Sequence, residues 1–178
     1  RIVQLAVFTI VLNTNAEDTT SRYNTVVIPN VPHIQQKNDF CGETCAAMYL
    51  QKLGENMDQD YIFDRSTLMP ESARGLHASE LADTLTQIGF DVGSIWTTID
   101  GPLDLEKEWA RLHGDLLSDV PSIVLMHTSK TDSSEHFRLV LGYDATSDSV
   151  IYHEPLDEDG AYRQMDRTTF LDLWALQD

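Results

Sequence analysis

The sequence predicts a single domain of the α+β class, because amphipathic helical patterns come first along the chain and apolar strand-like runs follow them. Its 178 residues are enough to bury a sizeable core. The three clearest helical patterns cover residues 41–53, 79–88 and 105–117. The strand-like runs cover residues 122–126, 136–143 and 150–154. The last two runs are joined by a short polar stretch, which is typical of an antiparallel hairpin.

Residues 1–16 have the pattern of an export signal. A positive charge at the start precedes an apolar run over residues 2–12, and residues 14–16 form a tolerable small-residue cleavage site. The run is too short to span a bilayer, and its alternative is a buried N-terminal strand. Residues 17–26 are predicted to be a polar linker, and residues 27–178 the folded domain. No later segment is apolar enough to cross a membrane, so we expect an exported protein, periplasmic or secreted.

The domain is organised around the helix predicted at residues 41–53. Residues 26–32 are β-prone but contain two prolines, which favours an edge or an extended entry over a central strand. Asn38 and Asp39 offer N-cap chemistry for the helix, and Gly54 offers a C-cap. One apolar face of this helix is predicted from four side chains at helical spacing, Cys45, Met48, Tyr49 and Leu53.

The remaining elements follow from the same kinds of pattern. A short helix is predicted within residues 58–69, and Gly89 ends the second long helix. Residues 90–98 are predicted to form a strand. Residues 130–134 form a polar loop before the first strand of the hairpin. The closing element is an amphipathic helix predicted over residues 165–176.

The charge balance restricts the class of partner. Acidic residues number 29 and basic residues 12, so the formal net charge is −17. Lysine and arginine form no stripe along the sequence. Nucleic acid and anionic membrane surfaces are therefore poor partners for this protein.

The cysteines and histidines argue against a disulfide framework and against a metal site. Cys41 and Cys45 would lie one turn apart on one helix, a geometry that suits a disulfide poorly. The histidines show no metal-ligand spacing with one another or with carboxylates. We therefore predict no metal site.

Cys41 is the first candidate for chemistry. It lies at the predicted start of a helix, where the positive end of the helix dipole favours a thiolate over a thiol. A cysteine is more often a small buried hydrophobe, and that is the interpretation for Cys45, one turn deeper. A cysteine nucleophile also needs a base, a group that orients the base, and donors for the developing oxyanion.

His136 is the best candidate for the base, because it opens a predicted strand beside a polar loop. Glu154 lies at the far end of the partner strand. A hairpin centred on Ala145 would set Glu154 directly opposite His136, where it could orient the imidazole. The most turn-prone residues come slightly later, so this register needs a bulge or a wide loop. A histidine at a strand end is, however, more often a structural hydrogen-bonding group.

Gln36 is the candidate oxyanion donor, together with the backbone N–H of Cys41. It precedes Cys41 by five residues and could present its side-chain amide beside the nucleophile. Gln35 is a rival for this role, and a glutamine in a loop is usually just solvated.

Four segments, in this order, resemble the bacteriocin-processing cysteine peptidases of the papain-like clan and their stand-alone relatives. The segments are QKNDFCGETCAAMYLQKLG, HFRLVLGYD, IYHEP and FLDLW. In that family a Gln precedes Cys-Gly at the head of a helix, a His opens a strand that runs into a Gly-Tyr-Asp-like turn, and an Asp-Pro pair ends the next strand. The resemblance implies a papain-like cysteine peptidase fold. Its N-terminal helices, with the nucleophile helix among them, pack against a C-terminal antiparallel sheet.

By position, the resemblance implies that Cys41 is the nucleophile, His136 the base and Gln36 the oxyanion donor. Glu154 falls where the family usually has Asp, just before Pro155. Its extra methylene group would loosen the orientation of the histidine. The best-known members are fused to a transporter and cut after a double glycine, a preference that is not assumed for this chain.

The predicted function is hydrolysis of peptide bonds by an exported cysteine peptidase. Its partner is a peptide or protein substrate, and no cofactor is needed. Two alternatives use the same site: a papain-like module that binds peptides without turnover, and acyl transfer to an amine instead of water. Thiol redox chemistry is a distant alternative, because C-x-x-x-C lacks the redox C-x-x-C spacing.

Overall fold

The computed structural model of the protein describes residues 2–3, 5–6, 22–72 and 74–175. The helices are α1 (Cys41–Lys52), α2 (Gln59–Arg65), α3 (Ala78–Ile88), α4 (Pro102–Leu117) and α5 (Arg167–Trp174), with a 3-10 turn at Pro70–Ser72. The strands are β1 (Ile2–Val3), β2 (Leu5–Ala6), β3 (Val26–Val27), β4 (Asp91–Val92), β5 (Ser122–Ser129), β6 (Asp132–Asp144), β7 (Ser149–His153) and β8 (Arg163–Asp166). Four helices precede an antiparallel block of strands, so the predicted α+β class is confirmed.

The main sheet places β6 at its centre. In the described part of the chain this sheet has the order β2-β5-β6-β7-β8, and β3 pairs with β6 as well. The pairs β5–β6, β6–β7 and β7–β8 are antiparallel, whereas β2 pairs with β5 in parallel. The predicted hairpin is the β6–β7 pair, and it contains an irregularity between Val140 and Gly142. A Cβ at Gly142 would lie 2.5 Å from the Val26 carbonyl oxygen, so glycine is needed where β3 crosses this irregularity.

Helix α1 is the buried centre of the domain. It contacts β6 on one side and α2 and α3 on the others. Residues 42–50 are buried without exception, so the prediction of a single apolar face is wrong. The helix is enclosed on all sides, which small residues such as Ala46 and Ala47 permit. Cys45 is fully buried, as predicted.

The start of α1 also differs from the prediction. Its N-cap residue is Phe40, which makes no side-chain capping hydrogen bond. Asp39 has a positive φ of 61°, a conformation that aspartate tolerates better than most residues. Asn38 and Asp39 therefore form a turn into the helix and do not cap it.

Three other element boundaries are corrected. Within residues 90–98 only β4 is a strand, because its single partner in the described chain is the two-residue β1. The closing helix begins at Arg167 and not at residue 165, because β8 pairs with β7 first and Asp166 then caps the helix. The loop predicted at residues 130–134 is mostly hairpin, so His136 is the fifth residue of β6 and does not open the strand.

The predictions for the N-terminal region concern mostly residues outside the part of the chain that the structure describes. Of residues 1–16, only β1 and β2 are described, and they pair in parallel with β4 and β5. Residues 17–21 of the predicted linker also lie outside the described residues. The export signal stays a prediction. Among the helices of the described chain, none is long and apolar enough for a membrane span.

Candidate active site

The four predicted site residues lie around one cleft. Cys41 begins α1 and is half-buried, and Gln36 lies in the extended segment before it. His136 on β6 is 7 % exposed. These three residues line a cleft of about 360 Å³. Glu154 follows β7, is 6 % exposed, and contacts His136 from behind the cleft.

The Glu154 carboxylate binds the His136 imidazole directly. Its Oε1 lies 2.5 Å from Nε2 of His136. The two residues are not directly opposite each other, as a hairpin centred on Ala145 would require. The observed register pairs Leu139 with His153, and its continuation sets Glu154 opposite Arg138. Glu154 therefore reaches His136 diagonally across the hairpin.

Cys41 lines the same cleft as His136, and its thiol is close enough to help raise the pKa of the imidazole. Because Nε2 of His136 is engaged by Glu154, Nδ1 is the nitrogen that remains for the thiol. Burial lowers the pKa of His136, but the hydrogen bonds to Cys41 and Glu154 outweigh it and raise this pKa to about 9. The imidazolium is thus the stable form of His136 at neutral pH.

The charge of Glu154 is held in the buried site by its partners. Burial raises the pKa of Glu154, whereas the hydrogen bond from His136 and the positive charge of Arg138 lower it to about 2. Arg138 Nε donates to the second carboxylate oxygen at 2.7 Å, and the Leu156 N–H donates to Oε1 at 3.1 Å. The backbone is held too, since the Glu154 N–H donates to the Gly160 carbonyl at 2.8 Å.

Sequence reasoning missed Arg138. One signal was available: Arg138 follows His136 by two residues on one strand, and side chains at this spacing share a face of a sheet. The face then holds a histidine and an arginine close to the predicted carboxylate.

Gln36 and its rival Gln35 have different surroundings. Gln36 lines the cleft, and its Oε1 is buried without a hydrogen-bond partner in the described chain. Its N–H donates to the Pro155 carbonyl at 2.8 Å, which ties this segment to the residue after Glu154. Gln35 is exposed, and its amide reaches the Leu156 carbonyl at 3.4 Å. Gln36 is the one placed beside Cys41.

Buried Gln59 on α2 holds the Gln36 segment, and sequence reasoning missed it. Its Oε1 accepts a hydrogen bond from the Lys37 N–H at 2.7 Å and another from Thr44 Oγ1 at 2.9 Å. Its Nε2 donates to the Gln35 carbonyl at 3.1 Å. One amide thus fixes both residues that flank Gln36 in sequence, and nothing local in the sequence marks this contact.

The opposite wall of the cleft is docked onto the start of α1. Gly75 lies so close to Asp39 that an added Cβ would meet the Asp39 carbonyl oxygen at 1.8 Å. The next residue, Leu76, donates its N–H to Oε1 of Glu43 at 2.9 Å. Glu43 is fully buried, and burial raises the pKa of its carboxyl group to about 7. Sequence reasoning missed Glu43, because nothing in the pattern marks a buried acid in the first turn of α1.

The second cysteine takes no part in this arrangement. Both cysteines are free, and burial raises the pKa of the Cys45 thiol well above its usual value. Among the residues that the structure describes, no three His, Cys, Asp or Glu side chains group together as metal ligands would.

A cysteine at the start of a buried helix, sharing a cleft with a histidine on a central antiparallel strand, is the arrangement of the papain-like cysteine peptidases. A model of the peptidase C39-like family matches residues 28–177. The chain therefore belongs to the peptidase C39-like family. This confirms the resemblance to the bacteriocin-processing type of cysteine peptidase.

A solved structure shares the fold. It is the crystal structure of a protein from Bacillus anthracis assigned as a C39-like peptidase. The TM-score is 0.56 at 21 % identity, and the match covers 85 % of this chain and 92 % of that one. No curated protein matches the chain significantly. The similarity shows a shared fold.

Proposed function

We propose that the protein is a cysteine peptidase that hydrolyses peptide bonds through Cys41, His136 and Glu154. One observation carries this proposal: Glu154 holds one nitrogen of His136 at 2.5 Å, and His136 lines the same cleft as Cys41. A histidine that is only structural would not need to face a half-buried cysteine at a helix start. Membership of a peptidase family supports the same reaction class.

In the proposed reaction the Cys41 thiolate attacks the carbonyl carbon of a peptide bond. The Gln36 amide and the Cys41 N–H, a helix N-terminal donor without an intrahelical acceptor, would stabilise the oxyanion. The His136 imidazolium then gives its proton to the leaving amine, and the C–N bond breaks. Neutral His136 next takes a proton from water, which attacks the thioester and releases the acid and free Cys41.

Glu154 would stabilise the imidazolium and hold its orientation throughout. The substitution of glutamate for the family's aspartate is compatible with this role, because the longer side chain spans the diagonal to His136. The substrate is a peptide or protein segment that the cleft of about 360 Å³ can hold in part.

The reaction is tested with a proteome-derived peptide library incubated with wild-type protein, Cys41→Ala and His136→Ala. Mass spectrometry should find new peptide termini only with the wild-type protein. Iodoacetamide labelling of Cys41, read by peptide mapping at pH 6 to 8, should be rapid in the wild type and slow in His136→Ala. Ordinary labelling in both proteins, without new termini, would favour the binding module.

We also propose that residues 1–16 direct export. The support is the charge and hydropathy pattern of this segment alone. Expression in a bacterial host, followed by N-terminal sequencing of the periplasmic or secreted protein, should find a chain that begins near Glu17. Recovery of an uncut chain in the cytoplasm would refute the proposal.

A further inference from the structure

Arg138 is a buried cation that the proposed reaction does not use. It is 5 % exposed and is not among the residues that line the cleft. Its Nε donates to Oε2 of Glu154 at 2.7 Å. Its other two nitrogens donate to the backbone carbonyls of His127 and Thr128 at 3.3 and 3.0 Å. Every nitrogen of the guanidinium group therefore has an acceptor.

We propose that Arg138 is a positioning residue, which anchors Glu154 to β5 so that the other carboxylate oxygen stays on His136. This inference rests on the proposed function. Oε1 of Glu154 contacts His136 and the Leu156 N–H, and Oε2 contacts Arg138, so the carboxylate is held from three directions. A glutamate has one more rotatable bond than an aspartate, and the clamp removes the additional freedom.

The anchor is built on an irregularity of the sheet. The pairing of β5 with β6 shifts between His127 and Ser129. A bulge turns backbone groups out of the regular ladder, and here the carbonyls of His127 and Thr128 accept from the guanidinium. Arg138 would keep this position without Glu154, because two of its three contacts are to the backbone.

Removal of Arg138 should change the reactivity of Cys41 in opposite directions, depending on whether Arg138 acts only through its charge or by positioning Glu154. Arg138 and the His136 imidazolium bind the same carboxylate, so they compete for its charge. Removing Arg138 would then favour the imidazolium, and Cys41 would react as fast as before or faster. If Arg138 positions Glu154, its removal lets the carboxylate leave His136, and Cys41 reacts more slowly.

The experiment measures the rate of iodoacetamide alkylation of Cys41 at pH 7, with peptide mapping to separate Cys41 from Cys45. Arg138→Met should slow the rate about 10- to 100-fold, because a displacement of a functional group by about 1 Å can cost about 100-fold in rate. Arg138→Lys keeps the charge but loses the planar fork, and should fall between Arg138→Met and the wild type. Thermal unfolding shows which variants are folded at the assay temperature.

A double mutant separates positioning from a general structural effect. In the Glu154→Gln background, Arg138→Met should change the rate by less than about twofold, because coupled residues are not additive. The double variant also removes both buried charges, so it avoids leaving Glu154 unpaired. Arg167→Met is the matched control. It breaks contacts at 3.1 Å to Glu106 and Asp148, whose side chains do not line the cleft, and should leave the rate unchanged.

The outcomes for the two proposals are distinct. If His136→Ala labels like the wild type, the proposed function fails. If His136→Ala and Glu154→Gln are slow but the Arg138 variants label at the wild-type rate or faster, only the positioning role fails. The positioning role also fails if Arg138→Met slows alkylation as strongly in the Glu154→Gln background as it does in the wild type. If Arg138→Met does not fold, the alkylation rates of Arg138→Lys and of the double variant test the positioning role instead.

Discussion

Glu154 contacts His136 although the strand register sets it opposite Arg138, two residues further along β6. A glutamate has the length for this diagonal, and its second oxygen then falls beside Arg138 at 2.7 Å. From the sequence alone, the additional methylene group is expected to loosen the orientation of His136. In this hairpin it gives the side chain the length to bring its carboxylate to the histidine.

The first prediction concerns the length of that side chain. Glu154→Asp should slow Cys41 alkylation and any peptide hydrolysis about 10- to 100-fold, because the shorter carboxylate cannot reach His136 along the diagonal. Both rates are measured at pH 7, with Asp157→Glu on the exposed side of the following turn as a control for a one-carbon change. Wild-type rates in Glu154→Asp would show that the backbone adjusts and that the diagonal is not a constraint.

The second prediction concerns the proton on His136. NMR titration of the imidazole should give a pKa near 9, because the raising effect of its hydrogen bonds to Cys41 and Glu154 exceeds the lowering effect of burial. Hydrolysis needs the imidazolium as the acid and should therefore decline as the pH rises through 9. Glu154→Gln removes the negative partner and should shift the titration to lower pH. A pKa of 6.5 or below in the wild type would contradict the pairing.

The third prediction separates the two glutamines. Gln36→Ala should lower kcat about 100- to 1,000-fold, the usual cost of losing one oxyanion donor. It should leave the alkylation rate of Cys41 nearly unchanged, because alkylation forms no oxyanion. Gln35→Ala, the neighbouring control, should change neither rate. Equal effects of the two substitutions on kcat would indicate a disturbed loop and not a lost donor.

The fourth prediction concerns the buried acid Glu43. Burial, with a smaller contribution from Glu80, raises the pKa of Glu43 to about 7, although the Leu76 N–H and Arg74 oppose the change. Its ordinary value is near 4.5, so folding favours the protonated form, and the contribution of Glu43 to stability falls as the pH rises from 4.5 to 7.

Glu43→Gln keeps an acceptor for the Leu76 N–H and cannot ionise. It should match the wild type at pH 4 and exceed its unfolding free energy by about 3 kcal/mol at pH 8, as judged by urea unfolding. Glu158→Gln on the exposed surface should show no such pH-dependent difference. A constant difference between Glu43→Gln and the wild type at both pH values would disprove the assignment.

The fifth prediction concerns acid stability. Nδ1 of His153 accepts from the Tyr162 N–H at 3.0 Å, so the buried ring is neutral and donates through Nε2 to the Val31 carbonyl at 3.1 Å. Burial, with a smaller contribution from His33, lowers the pKa of His153 to about 4. Unfolding then takes up a proton below pH 6.5, and the contribution of His153 to stability should fall by about 3 kcal/mol as the pH drops from 6.5 to 4, opposite in sign to the contribution of Glu43.

The check is the slope of unfolding free energy against pH in this window, compared with that of His153→Gln. The variant lacks the contribution of His153, so its unfolding free energy should rise less steeply with pH than that of the wild type, even if its overall stability is lower. His77→Gln, an exposed histidine, serves as the control and should keep the slope of the wild type. An unchanged slope in His153→Gln would assign the acid sensitivity to other groups.

Local patterns were sufficient for α1, α3, α4 and the β6–β7 hairpin, and for naming the first candidate site residues. Cys41 at a helix start, His136 on one strand and Glu154 at the end of the next are recognisable because helix and hairpin signals are local. The exact register was not recognisable. It depends on the irregularity between Val140 and Gly142, which forms where β3 crosses β6 from a distant part of the chain.

The buried polar residues that hold the site together were also not predicted from the sequence. Glu43 and Gln59 look like ordinary surface residues of helices, and only the tertiary structure shows that Leu76 and Lys37 need them as acceptors. Arg138 could have been predicted from the rule that alternate residues of a strand lie on the same face of the sheet. The incorrect strand predicted at residues 90–98 could not have been avoided by such a rule. Strand formation depends on a pairing partner that the segment itself does not reveal.

The contact between Gly75 and Asp39 has a consequence for how the cleft can accept a substrate. Backbone meets backbone there, and Glu43 ties the adjoining Leu76 to the same helix turn that begins with Cys41. The nucleophile and this wall are consequently linked through the first turn of α1. Adaptation to different substrates would then fall to the side of the cleft away from Gly75. That side contains the exposed residues Ser134 and Glu135, which precede His136, and the exposed Leu156.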